Sequence, residues 1–308
     1  MAGSRTGLKL GGFALAVAVV FGAAYGVGQL VGPVAEEPEP AAHEGMSGDT
    51  DMAEEGHGGG HDEAVGLPAG LQVSEDGNTL EVLSTGLAAG QPAEFAFRIV
   101  GADGHAVTGF EKAHDKLMHL IVARRDLSGF RHVHPVMAAD GTWRIPLTFA
   151  TAGDYRVFAD FQPKGRAEGL TLGADVPVAG AYTPAPLPES ALTAAVVDGY
   201  RVTLWGELTP GESSKLKLSV DKDGVPVTDL EPYLAAYGHL VALRQGDLAY
   251  LHVHPDGAPG DGKTKAGPNI VFYAEVPSTG TYRLYLDFKH GDVVRTAELT
   301  AVAGGHGH

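Results

Sequence analysis

Cysteine is absent from all 308 residues. The chain therefore has no disulfide, zinc ribbon, thiol nucleophile, blue-copper thiolate or lipid-modified N-terminal Cys. Any bound metal must be held by His, Met, Asp or Glu. Basic residues are scarce too: 22 Lys and Arg stand against 38 Asp and Glu, giving a net charge of −16. A chain this acidic repels a phosphate backbone, so nucleic acid is excluded as a partner. Signatures of catalysis are missing: there is no G-x-S-x-G, H-E-x-x-H, phosphate loop or dinucleotide fingerprint. The expectation is a protein that is not an enzyme.

Aromatics are few, at 7%, whereas Gly is abundant at 44 residues. That balance favours strands and turns over long helices, and the length suggests two domains.

After Arg5 and Lys9 no charge appears until Glu36, and Leu10 to Ala35 is mostly apolar. A spanning helix needs about 20 such residues. Residues 1–35 are therefore expected to form a cytoplasmic tip and a transmembrane anchor; the alternative is a cleaved signal and a secreted product. Basic residues before the run and Glu36, Glu37 and Glu39 after it keep the N-terminus inside. The protein is then single-pass in the cell membrane, with its C-terminal region outside the cytoplasm.

Residues 36–67 read as a disordered acidic linker. Between 36 and 65 there are ten acids and no Lys or Arg, with Pro38, Pro40 and Gly58-Gly59-Gly60 opposing any packed element. His43, Met46, Met52, His57 and His61 lie within it. The segment is either a solvated tether or a loose metal-collecting arm. The tail, 304–308, contains His306 and His308 and has the same ambiguity.

The remainder is one unit written twice. A slide of 120 positions lays HLIVARRDLSGFRHVHP (119–135) on HLVALRQGDLAYLHVHP (239–255), with seven of seventeen positions identical. DGHAVTGFE (103–111) matches DGVPVTDLE (223–231) at the same offset. Beyond a longer loop at 257–269 the offset becomes 127, and AGDYRVFADF (152–161) aligns with TGTYRLYLDF (279–288). A repeat this long denotes tandem domains, placed at 68–182 and 190–303 with the Pro-rich stretch 181–190 at their junction. Each unit holds seven or eight short apolar or alternating runs parted by turn signals. The fold class expected is all-β, two tandem immunoglobulin-like β-sandwiches. Tyr155 and Tyr282 each follow a Gly at a strand start, as in a tyrosine corner.

The histidines are the candidate site. A two-residue hairpin loop at Gln245-Gly246 would set His239 opposite His252, with His254 two residues on and so on the same face. The same register in the first unit gathers His119, His132 and His134. Three neutral imidazoles are a ligand set for copper, less readily zinc; Met137 or His114 could assist. The bland alternative is a set of hydrogen-bonded histidines capping a sheet. His105 and His290 are expected to be exposed and without a role. Asp160 and Asp287 either orient an imidazole or form ordinary edge contacts.

The segments GHLVALRQGDLAYLHVHP and FYAEVPSTGTYRLYLDF resemble bacterial secreted or membrane-anchored proteins described as heavy-metal-binding or YtkA-like domains. The resemblance covers roughly residues 70–303, and the first unit departs from it where ARRDLSGF replaces ALRQGDLAY. It implies an immunoglobulin-like sandwich outside the membrane and copper handling as context. Two functions follow as expectations. One is a membrane-tethered extracytoplasmic metal-binding protein that buffers an ion or hands it to a receiving protein. The other is a non-catalytic interaction module displayed on an acidic stalk.

Overall fold

The computed structural model describes residues 67–188 and 192–304. The expected anchor, most of the acidic linker and nearly all of the tail lie outside the described residues. Among the described residues no helix is long and apolar enough to cross a membrane.

The first domain contains β1 (Ser74–Glu75), β2 (Asn78–Val82), β3 (Pro92–Val100), β4 (Phe110–Glu111), β5 (His119–Arg124), β6 (Arg131–Val133), β7 (Val136–Met137), β8 (Trp143–Thr148), β9 (Gly153–Pro163) and β10 (Leu170–Val178). One antiparallel sheet has the order β1-β2-β3-β8-β7, and its partner runs β10-β9-β5-β6 with β4 added beside β9. The second domain contains β11 (Ala194–Val197), β12 (Tyr200–Trp205), β13 (Ser213–Lys222), β14 (Val225–Pro226), β15 (His239–Arg244), β16 (Tyr250–Pro255), β17 (Asn269–Glu275), β18 (Gly280–His290) and β19 (Val293–Ala303). Here β16 pairs with β15 through residues 250–253 and with β17 through His254 and Pro255, so both sheets join into one path. In the first domain the equivalent segment breaks at His134-Pro135 into β6 and β7.

Two immunoglobulin-like sandwiches result. Each has a tyrosine corner: the Tyr155 hydroxyl donates to the Thr151 carbonyl and the Tyr282 hydroxyl to the Ser278 carbonyl, both at 2.9 Å. Outer-sheet strands alternate as a half-buried strand must; β13 buries Ser214, Leu216, Leu218 and Val220 and turns Lys215 and Lys217 outward. Leu240, Ala242, Leu251 and Val253 face the core of the second domain, and Leu120 and Val122 the core of the first.

The strands β5 and β15 do not alternate; they are buried along almost their whole length. Their second faces meet. Ile121, Ala123, Leu127 and Phe158 from the first domain pack with Val241, Leu243, Leu248, Tyr250 and Tyr285 from the second. Phe130 stacks on Tyr285 with centroids 3.9 Å apart and planes within 6°. Their repeat counterparts, Tyr250 and Phe158, pair across the same seam at 5.5 Å. Both pairings cross the seam with the roles of the domains exchanged, the mark of a pseudo-twofold interface between duplicated units.

The hairpin register differs from the two-residue loop expected at Gln245-Gly246. Val241, not His239, lies opposite His252, and Ile121 opposite His132. Five residues, Gln245 to Ala249, make the connection. Asp247 holds it by accepting from the Ala249 amide at 3.0 Å and from the Arg244 guanidinium, while Leu248 takes a positive φ of 62°. In the first domain Asp126 does the same for the Ser128 amide and Arg124, and Leu127 has a φ of 64°. The carboxylate-held turn outweighs the tighter loop. Because the shift is two residues, each side chain keeps its face.

Candidate metal centre

The triad His119, His132 and His134 comes together. His119 opens β5; extending the ladder Leu120↔Val133 sets it across from His134. Its Nδ1 lies 3.0 Å from His132 Nε2 and 3.2 Å from His134 Nε2. One ligand nitrogen from each of the three lies within 4.8 Å of the others.

Two of these rings have settled tautomers. His119 Nε2 donates to the Ala113 carbonyl at 2.9 Å, so its Nδ1 presents a lone pair. His132 Nδ1 donates to the Asp287 carboxylate at 2.9 Å, so in the neutral ring Nε2 presents a lone pair. These lone pairs face each other at hydrogen-bond distance, which calls for a positive charge between them. A proton is disfavoured on His119, where burial, above all other causes, pushes the imidazole down to about 4. Burial likewise takes His134 to about 3, with the neighbouring His132 and His119 adding to the effect. A metal ion accepts all three lone pairs. Spacings of 3.0 and 3.2 Å approach the ~3.3 Å edge of a tetrahedron with metal–nitrogen bonds of about 2.0–2.1 Å. Both settled rings also show the outer support typical of ligands, one on a backbone carbonyl and one on a carboxylate.

The second domain enters the same place. The seam brings His239 of the second domain towards the histidines of the first. Asp287, buried on β18, accepts from His132 of the other domain and from the Thr296 hydroxyl. His239 Nε2 donates to the Tyr233 carbonyl at 2.8 Å, the counterpart of the His119–Ala113 bond. Burial brings His239 to about 4. Its ring lies 6.2 Å from that of His132 and 5.4 Å from that of His114. A cavity of about 20 Å³ lies among His114, His119, His132, Asp160, His239 and Tyr250.

His252 and His254 hold register places on β16, opposite Val241 and Tyr273; their side chains lie outside the described part of the structure. His114 sits in a tight two-residue turn with Asp115, both at positive φ, closed by hydrogen bonds between Ala113 and Lys116. Met137 packs against the core of the first domain. His105 is exposed, as expected. His290 is not the exposed, idle residue expected: its Nδ1 lies 2.7 Å from the Tyr200 hydroxyl and its Nε2 3.1 Å from Asp229. Asp287, which accepts from His132, recurs with Asp160 in the ADF and LDF motifs, the one sign in the sequence of its place beside the triad.

A family model described as Domain of unknown function (DUF8832) matches residues 72–178 and again residues 195–305. The chain belongs to the DUF8832 family. Its two DUF8832 units are the two sandwiches, and the matched family is this one, not the YtkA-like domains that the histidine hairpin resembles. No curated protein matches the chain. Among solved structures, it is similar to the Escherichia coli adhesin FdeC at 15% identity and a TM-score of 0.24, covering 75% of this chain and 65% of that one. Invasin, a bacterial integrin-binding protein, is 13% identical with a TM-score of 0.22 over 71% of this chain and 38% of its own. The Yersinia pseudotuberculosis adhesin InvE is 12% identical with a TM-score of 0.23 over 73% and 58%. The chain spans less than two thirds of each of these proteins, and such likenesses carry no argument about ligand or partner.

Proposed function

We propose that the protein binds a transition-metal ion, copper before zinc, through His119, His132 and His134, and serves to buffer the ion or hand it on outside the cytoplasm. The observation that carries this reading is the facing pair of lone pairs on His119 Nδ1 and His132 Nε2, 3.0 Å apart, with His134 Nε2 beside them. Without thiolates, the order of divalent affinities favours Cu(II). His119, His132 and His134 would hold the ion, Asp287 and the Ala113 carbonyl would fix two of the rings, and no catalytic group is required. The apolar run before residue 36 and the acidic stretch after it support a membrane-tethered placement with a metal-receiving partner outside.

A second reading, a non-catalytic interaction module, is favoured by one patch on the second domain. Trp205 and Tyr273 are 55% and 44% exposed, and Lys217 and Lys215 lie over their rings on the same outer sheet face. Calorimetric titration of untagged full-length protein with Cu(II) and Zn(II), beside His132→Ala, decides between the two. Micromolar or tighter binding that the substitution weakens supports the metal reading. Equal titrations of the two proteins transfer the conclusion to the interaction module.

A further inference from the structure

We infer that the outer sheet face around Trp205 and Tyr273 binds an acidic polysaccharide, whose sugar rings stack on the two aromatics while its carboxylates meet Lys215 and Lys217. This rests on the interaction-module reading of that patch and is independent of the histidine triad.

The ladder registers build the face. Across β12, β13 and β17, Trp205, Lys217 and Val271 form one row, and Lys215 and Tyr273 fall in the next. Thr203, Ser219 and Asn269 make the row on the other side of Trp205. Residues directly opposite share a face, while Leu216, Leu218 and Phe272 between them point into the core. The Trp205 indole N–H reaches the Ser219 hydroxyl at 3.4 Å, which orients the ring over β13. Two strand spacings, about 10 Å, separate β12 from β17, so the two rings stand under different sugars of one chain.

Charge singles this face out. The molecule carries −16, yet the Lys217 ammonium lies 5.4 Å from the Trp205 ring centre and that of Lys215 lies 5.7 Å from the Tyr273 ring centre. Neither ammonium has an ion-pair partner among the described residues. Cations held beside exposed rings attract a carboxylate, and the acidic remainder of the chain confines a polyanion to this spot. Glu275, opposite Ser213, ends the face.

The fold does not require these residues. Matching Phe97↔Trp143 of the first domain to Leu218↔Ile270 of the second puts Glu94 in the place of Lys215, Pro146 in that of Tyr273 and Arg144 in that of Val271. There Arg144 and Glu94 pair with each other at 2.7 Å. The same sheet thus forms with a self-paired surface in one copy and an unpaired one in the other.

The chemistry favours a saccharide over a protein. All three strands are paired along both edges, so a peptide finds no free ladder to join. Protein interfaces are depleted in Lys, and Val271 is the only aliphatic side chain in these rows. Thr203, Ser219 and Asn269 supply hydroxyl and amide groups suited to sugar hydroxyls. Beside them the longer loop of the second domain walls a cavity of about 410 Å³, lined by Asn269, Val271, Lys263 and Lys265 together with Asp256 and Asp261. Asp261 is taken up by the loop itself, accepting from the Lys263 and Thr264 amides at 2.7 Å.

The two tryptophans make the test direct, because Trp143 is buried and Trp205 is 55% exposed. Untagged full-length protein is titrated with polygalacturonate, alginate and hyaluronate, with the neutral methyl ester of polygalacturonate, and with polyglutamate. A chelator is present, so that no metal ion bridges carboxylates to the histidines. At least one polyuronate is expected to shift the Trp205 emission and shield it from acrylamide. Tyr273→Ala and the double variant Lys215→Gln, Lys217→Gln should each weaken that binding about tenfold, with melting unchanged because all three side chains are exposed. The ester should bind more weakly than its acid. Equal binding by the variants, or by ester and acid, overturns the inference. Binding of polyglutamate alone, lost in the same variants, overturns the polysaccharide and keeps the interaction module. If none of the three polyuronates binds, the inference is refuted.

Discussion

The imidazole of His132 in the first domain donates through Nδ1 to the carboxylate of Asp287 in the second, at 2.9 Å, with both side chains about 5% exposed. The bond fixes which nitrogen of His132 faces the triad, and it does so from the other domain. Replacing Asp287 with Asn removes the charge while keeping the size. Loss of such an outer carboxylate weakens metal binding by about 10–100-fold in comparable sites. Competition titration against a chelator of known affinity should show at least about a tenfold loss; an unchanged affinity would mean that Asp287 has no positioning role.

The seam should be worth several kcal/mol. Tyr285 is fully buried, stacks on Phe130 and donates its hydroxyl to the Leu127 carbonyl of the other domain. Tyr285→Phe leaves that carbonyl without this donor and is expected to cost about 1 kcal/mol. Leu243→Ala opens a cavity in the same seam and should cost about 2–5 kcal/mol. Urea unfolding reads both. A cost below about 0.5 kcal/mol for Leu243→Ala would show that the two domains do not pack in solution as they do here.

Much of this fold is legible in the chain. Alternation in KLKLSV and IVFYAEV marks half-buried strands, and the 120-residue repeat marks the duplication. The tandem arrangement carried a further signal in HLIVAR and HLVALR. Between the His and the Arg neither segment has a polar residue on either face, the pattern of a strand buried on both sides. The register was not legible from loop length. It depends on Asp126 and Asp247 capturing nearby amides while a leucine takes a left-handed conformation, an unfavourable choice for that residue outside such a turn. Reach across the seam was also hidden, because nothing local to Asp287 indicates a partner 155 positions away.

The two tyrosine corners should contribute alike. Each hydroxyl bonds a backbone carbonyl four residues upstream at 2.9 Å, and both rings are buried in their cores. Tyr155→Phe and Tyr282→Phe are each expected to cost about 1 kcal/mol in urea unfolding. The Thr151 hydroxyl lies 3.0 Å from the Tyr155 hydroxyl, against 3.5 Å for Ser278 and Tyr282, so the first should be the costlier. The reverse order would place the stabilisation elsewhere than in these bonds.

Metal-free protein should lose stability as pH falls below about 6.5. Burial, the largest cause in each case, holds His119 and His239 to about 4 and His134 to about 3 in the folded state, against 6.5 unfolded. Between those values the unfolded chain binds protons that the folded protein refuses. The stability of the neutral imidazoles is therefore complete above about 6.5 and declines through pH 5 towards 4. Each fully buried group adds a slope approaching ~1.4 kcal/mol per pH unit, and the partly exposed His134 adds less. Carboxylates act in a lower window: Asp126 and Asp247, both held below the usual 3.8, withdraw their support only under that value. The measurement is the urea midpoint of chelator-treated protein at pH 7.5, 6, 5 and 4.5. It should be level at the top of this range and fall steadily below pH 6. His239→Gln should flatten the fall by removing one of the groups. A midpoint constant down to pH 4.5 would show that the imidazoles are open to water and that the seam enclosing them is absent in solution.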